Sequence, residues 1–433
     1  MSIERMNMKL LLAGQRLEGP WNCRPVTKDD IPALARLVLD AYRDTIDDEG
    51  ETLDDALRAM QDTFAGTRQT GALLESCSFV IEEWGEPLAC TLVTWWHEQP
   101  LLAYVMAHPT ARNRGMGRFL IQKSINALLA QGHRELSLFV TKGNLPAQHL
   151  YERLGFQVMS TVGSADVNGT KLYYEVAGAG VRGAGEGHPL VWLHSGLTNN
   201  YMWDAQWQAF TQRYRVIRCD LRGFGWSGAA SGSFSYREDL YHLLRFLGIK
   251  RAYLVGSSMG GSLAIDFALE HPEMVAALIP VGAGVSGEQP SAFLLERWKE
   301  IDAAAEGGDL AQAVELELQL WVDGPGRAPE QVNPAVREQV RQMNTENFAR
   351  SEQEQGQPQP LEPPAVTRLG AIRVPTLVLV GEHDVPDKLA SAELLARSIP
   401  GAQKAVIAGA AHLPSMEQPE QFNRLVLEFL GNL

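Results

Sequence analysis

The sequence predicts an α/β protein of two domains, on three observations. Apolar runs of strand length alternate with helical periodicity along most of the chain, which implies sheets flanked by helices. The alternation changes style near residue 162: after it, six short apolar runs are separated by helical stretches, a βαβ rhythm that implies a mostly parallel sheet covered on both faces. Finally, 433 residues are more than a single core usually organises. The domains are therefore expected over 1–162, an α+β unit, and over 163–433.

The elements of the first domain can be read in order. A short strand near Trp21 leads to Thr27-Lys28-Asp29-Asp30, a helix-start signal before the apolar-periodic run 31–42. Strands are expected over 78–83 and 89–96, joined by the turn Trp84-Gly85-Glu86-Pro87, and over 101–107. An Arg- and Gly-rich loop at 109–117 opens a helix to about residue 131. A strand at 136–141, a helix to Leu154 and a strand from Phe156 complete the domain.

In the second domain, Asn168-Gly169 is a hairpin turn signal, and the Gly-rich segment 178–187 is expected to be a mobile loop. Parallel strands are expected over 190–194, 215–220, 252–256, 275–281, 376–380 and 404–407. Between about 286 and 364 strands cease and helical periodicity takes over. Inserted between two strands, this segment is expected to form a helical cap over a site, with the Gln/Pro/Glu-rich stretch 351–364 as its loose return arm.

Composition narrows the class. With 45% hydrophobic and 21% charged residues the chain reads as an ordinary globular protein. Residues 1–160 hold 16 basic and 20 acidic side chains and the remainder 22 and 32, so both halves are acidic and the net charge is −14. That balance argues against nucleic acid or an anionic membrane as a partner. The four cysteines show no C-x-x-C or disulfide-dense pattern, and no run approaches the ~18 apolar residues of a span. A cytoplasmic protein with small-molecule substrates and no metal is the expectation.

The strongest chemical signal is Gly256-Ser257-Ser258-Met259-Gly260, a G-x-S-x-G turn between the apolar strand Tyr253-Leu254-Val255 and a helix of small residues from Ser262. Such an elbow forces the serine into a strained turn, and glycines must flank it where strand and helix backbones nearly touch. A serine hydroxyl needs a neighbouring base. His412, in Gly409-Ala410-Ala411-His412-Leu413-Pro414, is the candidate, and Asp384, after the strand Leu377-Val378-Leu379-Val380-Gly381, the candidate acid. Backbone N–H donors for an oxyanion are expected from Met259 and from Gly196, with Leu197 the alternative to Gly196. His194 and His271 are expected to be structural, and His383 a neighbour of the acid. Trp203, Trp226, Trp321 and Leu413 are candidates for an apolar acyl pocket or for core.

These pieces, with Asp220-Leu221-Arg222-Gly223-Phe224-Gly225-Trp226-Ser227, resemble the α/β-hydrolase superfamily from about Asp166 to Leu433, in its Ser-Asp-His chain order. One departure is Ser195, which intervenes where the family commonly has His-Gly. Serine as nucleophile argues against the haloalkane dehalogenases and epoxide hydrolases, which use aspartate. The resemblance is closest to enol-lactonase and carboxylesterase members, and the G-x-S-M-G-G form is also similar to carbon–carbon bond hydrolases.

In the first domain, Arg112-Asn113-Arg114-Gly115-Met116-Gly117-Arg118 places three arginines and two glycines before a helix N-terminus, a pattern suited to phosphate or equally to a plain basic turn. Neither G-x-G-x-x-G nor a Walker loop is present. With Asn144-Leu145-Pro146-Ala147 and Tyr151-Glu152-Arg153-Leu154-Gly155-Phe156, the segment resembles GNAT-type N-acetyltransferases. The resemblance implies acetyl-CoA as co-substrate: backbone contacts from Met106 and Ala107 to pantetheine, pyrophosphate on the loop of Arg112, Arg114, Gly115, Gly117 and Arg118, Asn144 near the cofactor, and Tyr151 as the acid protonating the departing thiolate. The acidic run 40–55 is expected to be a solvated face, with attraction of a cationic amine as the alternative. The combined expectation is a bifunctional enzyme, an N-acetyltransferase followed by a serine hydrolase of small esters or lactones. The alternatives are a hydrolase whose first domain only senses acyl-CoA or serves assembly, or a carbon–carbon bond hydrolase.

Overall fold

The computed structural model describes residues 4–67, 70–96, 98–178, 188–351 and 356–433. The chain divides into two compact units, the first ending at Val162 and the second beginning at Gly163. The expected loop 178–187 lies, from residue 179 on, outside the described residues.

In the first unit the sheet runs in the order of the strand beginning at Gln157, then Arg5–Leu11, Glu135–Thr141, Gln99–Ala107, Glu86–Trp96, Phe79–Glu83 and Arg24–Pro25. Two of its elements went unread in the sequence. Arg5–Leu11 alternates Met6, Met8 and Leu10 with Arg5, Asn7 and Lys9, a period-two signal broken early by charge. The helix Leu53–Ala65 begins with the acidic pair Asp54 and Asp55, but Thr52 and Asp55 cap it reciprocally, so the carboxylates favour its N-terminus. Met60 and Phe64 from this helix and Leu34 and Val38 from the helix Ile31–Tyr42 build one core with Val80 and Leu92. On the opposite side Ile121, Ile125, Leu138 and Tyr151 build another with Met8.

One register detail shapes this unit. Gln99–Ala107 and Glu135–Thr141 run parallel but pair only at Leu101↔Ser137 and Leu102↔Leu138. Beyond Leu102 they part, while Gln99–Ala107 stays paired to its other neighbour through Ala89↔Ala107. The 103–107 edge facing the gap is left without strand partners there.

In the second unit the strand order is Gln403–Ile407, Leu377–Gly381, Val275–Val281, Ala252–Ser257, Leu190–Leu193, Val216–Cys219 and Thr170–Ala177. All neighbours are parallel except the last pair, which is antiparallel. Leu190–Leu193, Val216–Cys219 and Val275–Val281 are buried along their whole lengths, as a sheet covered on both faces requires. Asn168 and Gly169 both take positive φ (47° and 71°), the hairpin turn their side chains permit.

Between the strands Val275–Val281 and Leu377–Gly381 the chain inserts the helices Ala292–Glu306, Leu310–Glu317 and Pro334–Ser351, with a π-helical turn Leu318–Asp323. Its ends are stapled: Ser286 accepts from the N–H of Val366 at its carbonyl and of Ala365 at its Oγ. The return arm is not loose where it is described. Gln357–Pro358 pairs in parallel with Ser233–Phe234, and Arg237 donates to the carbonyls of Gln359 and Pro360. Polar composition hid this because the bonds are made by backbone, which composition does not report. Among the described residues no helix is long and apolar enough to cross a membrane.

Candidate active site

The strand Ala252–Ser257 ends where the helix Met259–Glu270 begins, and Ser258 joins them at φ 52°, ψ −111°. For a non-glycine residue that backbone is strained, and it persists only because the surroundings over-determine it. A Cβ on Gly256 would stand 2.1 Å from the Gly260 carbonyl oxygen, and one on Gly260 would stand 2.3 Å from that of Leu193. Glycine at both places lets strand and helix close on the serine.

Ser258 Oγ lies 2.8 Å from His412 Nε2, and His412 Nδ1 lies 3.0 Å from both carboxylate oxygens of Asp384. An ionised carboxylate only accepts, so Nδ1 carries the proton and Nε2 accepts from the Ser258 hydroxyl. Asp384 Oδ1 also accepts from the N–H of Val385. Gly282, at φ 54°, passes so close that a Cβ there would meet both His412 Nδ1 (3.1 Å) and Asp384 Oδ2 (3.2 Å). The sequence offered no reason to single this glycine out.

A Cβ on Gly196 would fall 3.8 Å from Met259 Sδ, so the two expected N–H donors come from neighbouring segments. Leu197, the alternative, gives its N–H to Ser195 Oγ. Among the described residues no hydrogen bond takes the N–H of Gly196 or Met259. Asn347 on the inserted helix Pro334–Ser351 donates to the carbonyls of Gly196 and Thr198 and so holds this loop from above. His194 is fully buried; Nδ1 donates to the Ser195 carbonyl and Nε2 accepts from the Leu221 N–H, while burial pushes its pKa down. It is a neutral brace between two loops. His383 is half-exposed near Glu382, and His271 closes the helix Met259–Glu270 and stacks on Tyr241.

A cavity of about 480 Å³ opens on Ser258 and His412. Of the four apolar candidates only Trp321 lines it. Trp203 is packed against Trp192 and Phe422, Leu413 is fully buried away from the cavity, and Trp226 stands partly exposed beside Tyr173. Phe224, Phe234, Trp298 and Phe348 line it instead. Trp298 and Phe348 come from the inserted helices, whose docking no spacing rule reveals.

In the first unit, Met106 is buried and Ala107 half-buried on the strand edge that parts from Glu135–Thr141. Gly115 takes φ 83° and starts the helix Met116–Ala130, and a Cβ on it would meet open space. Gly117 approaches Val105. The arginines turn onto protein groups: Arg112 donates to the Ala41 carbonyl, Arg114 lies 3.7 Å from Glu83, and Arg118 pairs with Glu18 at 3.0 Å. The last two pairs are exposed and weak. Asn144 caps the helix Leu145–Arg153 and donates to Asp47. Tyr151 is buried, and burial with the Asp47 charge pushes its phenol up. Tyr42, whose hydroxyl donates to the Val105 carbonyl, is raised by burial and by Tyr151, Tyr104 and Asp47. Asp47 thus stands out from the acidic run. Asp55 and Asp48 serve local turns and Glu49 pairs with Arg5.

Residues 188–419, more than half of the chain, match the family described as alpha/beta hydrolase fold, and residues 36–156 match the acetyltransferase (GNAT) family. The chain is 34% identical over 232 residues to a 2-hydroxy-6-oxononadienedioate/2-hydroxy-6-oxononatrienedioate hydrolase of Burkholderia vietnamiensis, a match covering 50% of this chain and 76% of that protein. Among solved structures it is similar to the enol-lactonase from Burkholderia xenovorans (26% identity, TM-score 0.52, covering 62% of this chain and 99% of the other). It is also similar to a thermophilic esterase from Thermogutta terrifontis (28%, 0.51, 63% and 98%).

Proposed function

The chain belongs to the α/β-hydrolase family and carries a GNAT-type segment before that domain, and from this premise we propose a bifunctional enzyme, a serine hydrolase of small carboxylic esters or lactones joined to an acetyl-CoA-dependent N-acetyltransferase. The observation that carries the hydrolase reading is the continuous hydrogen-bonded line from Ser258 Oγ through His412 to Asp384 at the wall of a cavity. Ser258 attacks the substrate carbonyl as its proton passes to His412 Nε2. Asp384 stabilises the imidazolium, and the free N–H groups of Gly196 and Met259 receive the oxyanion. The imidazolium then protonates the leaving group, and water activated by His412 releases the acyl group from the serine.

A second reading has support of its own. The 34% identity to a carbon–carbon bond hydrolase acting on an oxo-dienedioate favours cleavage of a C–C bond by the same three residues, whereas the likeness to an enol-lactonase favours ring opening. The test is a panel of esters, lactones and vinylogous diketones, assayed with the intact chain and with Ser258→Ala. Ester or lactone turnover lost in Ser258→Ala supports the first reading; turnover retained in that variant overturns it.

For the first unit, the 103–107 segment, where Gln99–Ala107 parts from Glu135–Thr141, and the open Gly115 turn suit the pantetheine arm and pyrophosphate of acetyl-CoA. A tyrosine held protonated beside them suits an acid for the departing thiolate. Release of free thiol from acetyl-CoA in the presence of a panel of amines is the measurement. Tight acetyl-CoA binding without acetylated product from any amine would favour a sensing role.

A further inference from the structure

The inserted helices bring two polar side chains to the cavity wall that the catalytic residues do not use. Asn344, on Pro334–Ser351, is only 4% exposed, and its Nδ2 has no hydrogen-bond partner among the described residues. Glu317, at the end of Leu310–Glu317, turns its Oε2 out of contact with solvent, also without a partner. The side chains of Leu197, Phe224, Phe234 and Phe348 on the same wall offer no polar partner, and the Trp321 side chain hydrogen-bonds the Glu317 carboxyl without satisfying Oε2. A buried amide or carboxyl left unpaired loses the hydration it had in water and gains nothing in return. Both residues line one cavity, and a ligand group that reached their unpaired atoms would complete them.

We infer that Glu317 and Asn344 form a polar subsite that recognises an uncharged hydrogen-bonding group, a hydroxyl or primary amide, on the part of the substrate not undergoing hydrolysis. The inference rests on the hydrolase reading of the same cavity. Asn344 supplies an N–H and needs an acceptor; the Glu317 carboxyl takes a donor. A hydroxyl or primary amide carries both functions in one group. Burial, opposed by the hydrogen bond from Trp321 and reinforced by the nearby Asp302 charge, pushes Glu317 up to about 7, so near neutrality its carboxyl both accepts and donates. A carboxylate is the wrong occupant. Arg222, the cation on this wall, already holds Asp239 through Nε and Nη2 and the Asn168 carbonyl through Nη2. Among the described residues of the wall, an anionic substituent therefore meets a carboxyl group and no uncommitted positive charge.

The test uses methyl arylacetates whose para substituent is methyl, hydroxymethyl, carboxamide or carboxylate, so that the reacting carbonyl is unchanged. Binding to the full chain carrying Ser258→Ala is measured by calorimetry, without turnover. The hydroxymethyl and carboxamide esters are expected to bind about tenfold tighter than the methyl ester, the equivalent of one good hydrogen bond, and the carboxylate weaker than the methyl ester. Adding Glu317→Leu or Asn344→Leu should shrink that gap to about twofold, whereas Glu317→Gln should keep most of it and relieve the rejection of the carboxylate. An undiminished gap in both leucine variants, or tightest binding of the carboxylate ester, overturns the subsite. Turnover of the same esters by the intact chain is scored separately. A preserved binding gap without Ser258-dependent hydrolysis sinks the hydrolase reading and leaves the subsite standing.

Discussion

The backbone N–H of His412 donates to the carbonyl of Trp321 at 3.1 Å, and the indole of Trp321 lies 4.4 Å from the imidazole. The inserted segment therefore both roofs the cavity and holds the base. Nearby, Arg327 donates to the Val322 and Asp323 carbonyls and pairs with the buried Glu417 carboxylate, which accepts from the Ala411 N–H. Trp321→Ala is expected to lower kcat for ester hydrolysis about tenfold through a mobile imidazole, the penalty small misplacements carry. Trp321→Phe, which keeps a ring against His412, should recover most of the rate. Equal losses in the two variants, measured by steady-state kinetics, would show that packing on His412 is not the cause.

The closeness of strand and helix at the elbow makes a sharp stability prediction. Gly256→Ala puts a methyl 2.1 Å from a backbone oxygen, which neither element can relieve alone. A loss above about 3 kcal/mol is expected, among the large effects reserved for core overpacking and strain. Gly308→Ala, at φ 77° but facing open space, should cost only about 1 kcal/mol. Urea unfolding of both variants checks the contrast.

Asp266 accepts from Ser286 Oγ, the residue that staples the ends of the insertion, and burial pushes its pKa up to about 6. In an unfolded chain an aspartate titrates near 3.9. The folded state thus keeps a proton that the unfolded state releases, so this group's contribution falls as pH rises from about 4 through 6 and stays low above. Asp266→Asn keeps an acceptor for Ser286 and removes the buried charge. It should raise stability at pH 8 by on the order of 1 kcal/mol and bring no gain at pH 4. Thermal unfolding at the two pH values decides; a gain of the same size at both would refute the assignment.

Tyr151 is raised by burial and by Asp47, which keeps its phenol protonated through the neutral range. Tyr151→Phe is expected to slow acetyl transfer by about 10²-fold, the lower end for general acid catalysis, while acetyl-CoA affinity changes less than about twofold. Thiol release and calorimetry separate the two. A loss confined to affinity would assign Tyr151 to packing, where it already meets Phe156 edge-on.

Much of this protein was legible before any coordinates. Ser258, Asp384 and His412 were readable because each occupies a position the fold makes stereotyped: a strand–turn–helix with glycines at both flanks, a strand's carboxyl end, and a small-residue loop. The acetyltransferase-like segment was readable from the spacing of Arg112, Gly115 and Gly117 and from the Asn144–Tyr151 helix. The first strand, Arg5–Leu11, and the helix Leu53–Ala65 were missed because interspersed charge masked their apolar periodicity. Their stability comes from pairing and packing supplied by distant residues.

The sequence by itself determined the fold class and which side chains meet at Ser258, since those follow from local turn chemistry and from the order of strands. Only the tertiary structure decided what surrounds them. That Trp321 lines the cavity while Trp203 is core, that Asn347 holds the Gly196 loop, and that Asn344 and Glu317 face the same space all depend on how the inserted helices dock. Docking is set by groups far apart in the chain, such as Asn347 with the Gly196 carbonyl and Arg327 with Glu417. No local pattern carries that information, because the same helical periodicity is compatible with many placements of the helix.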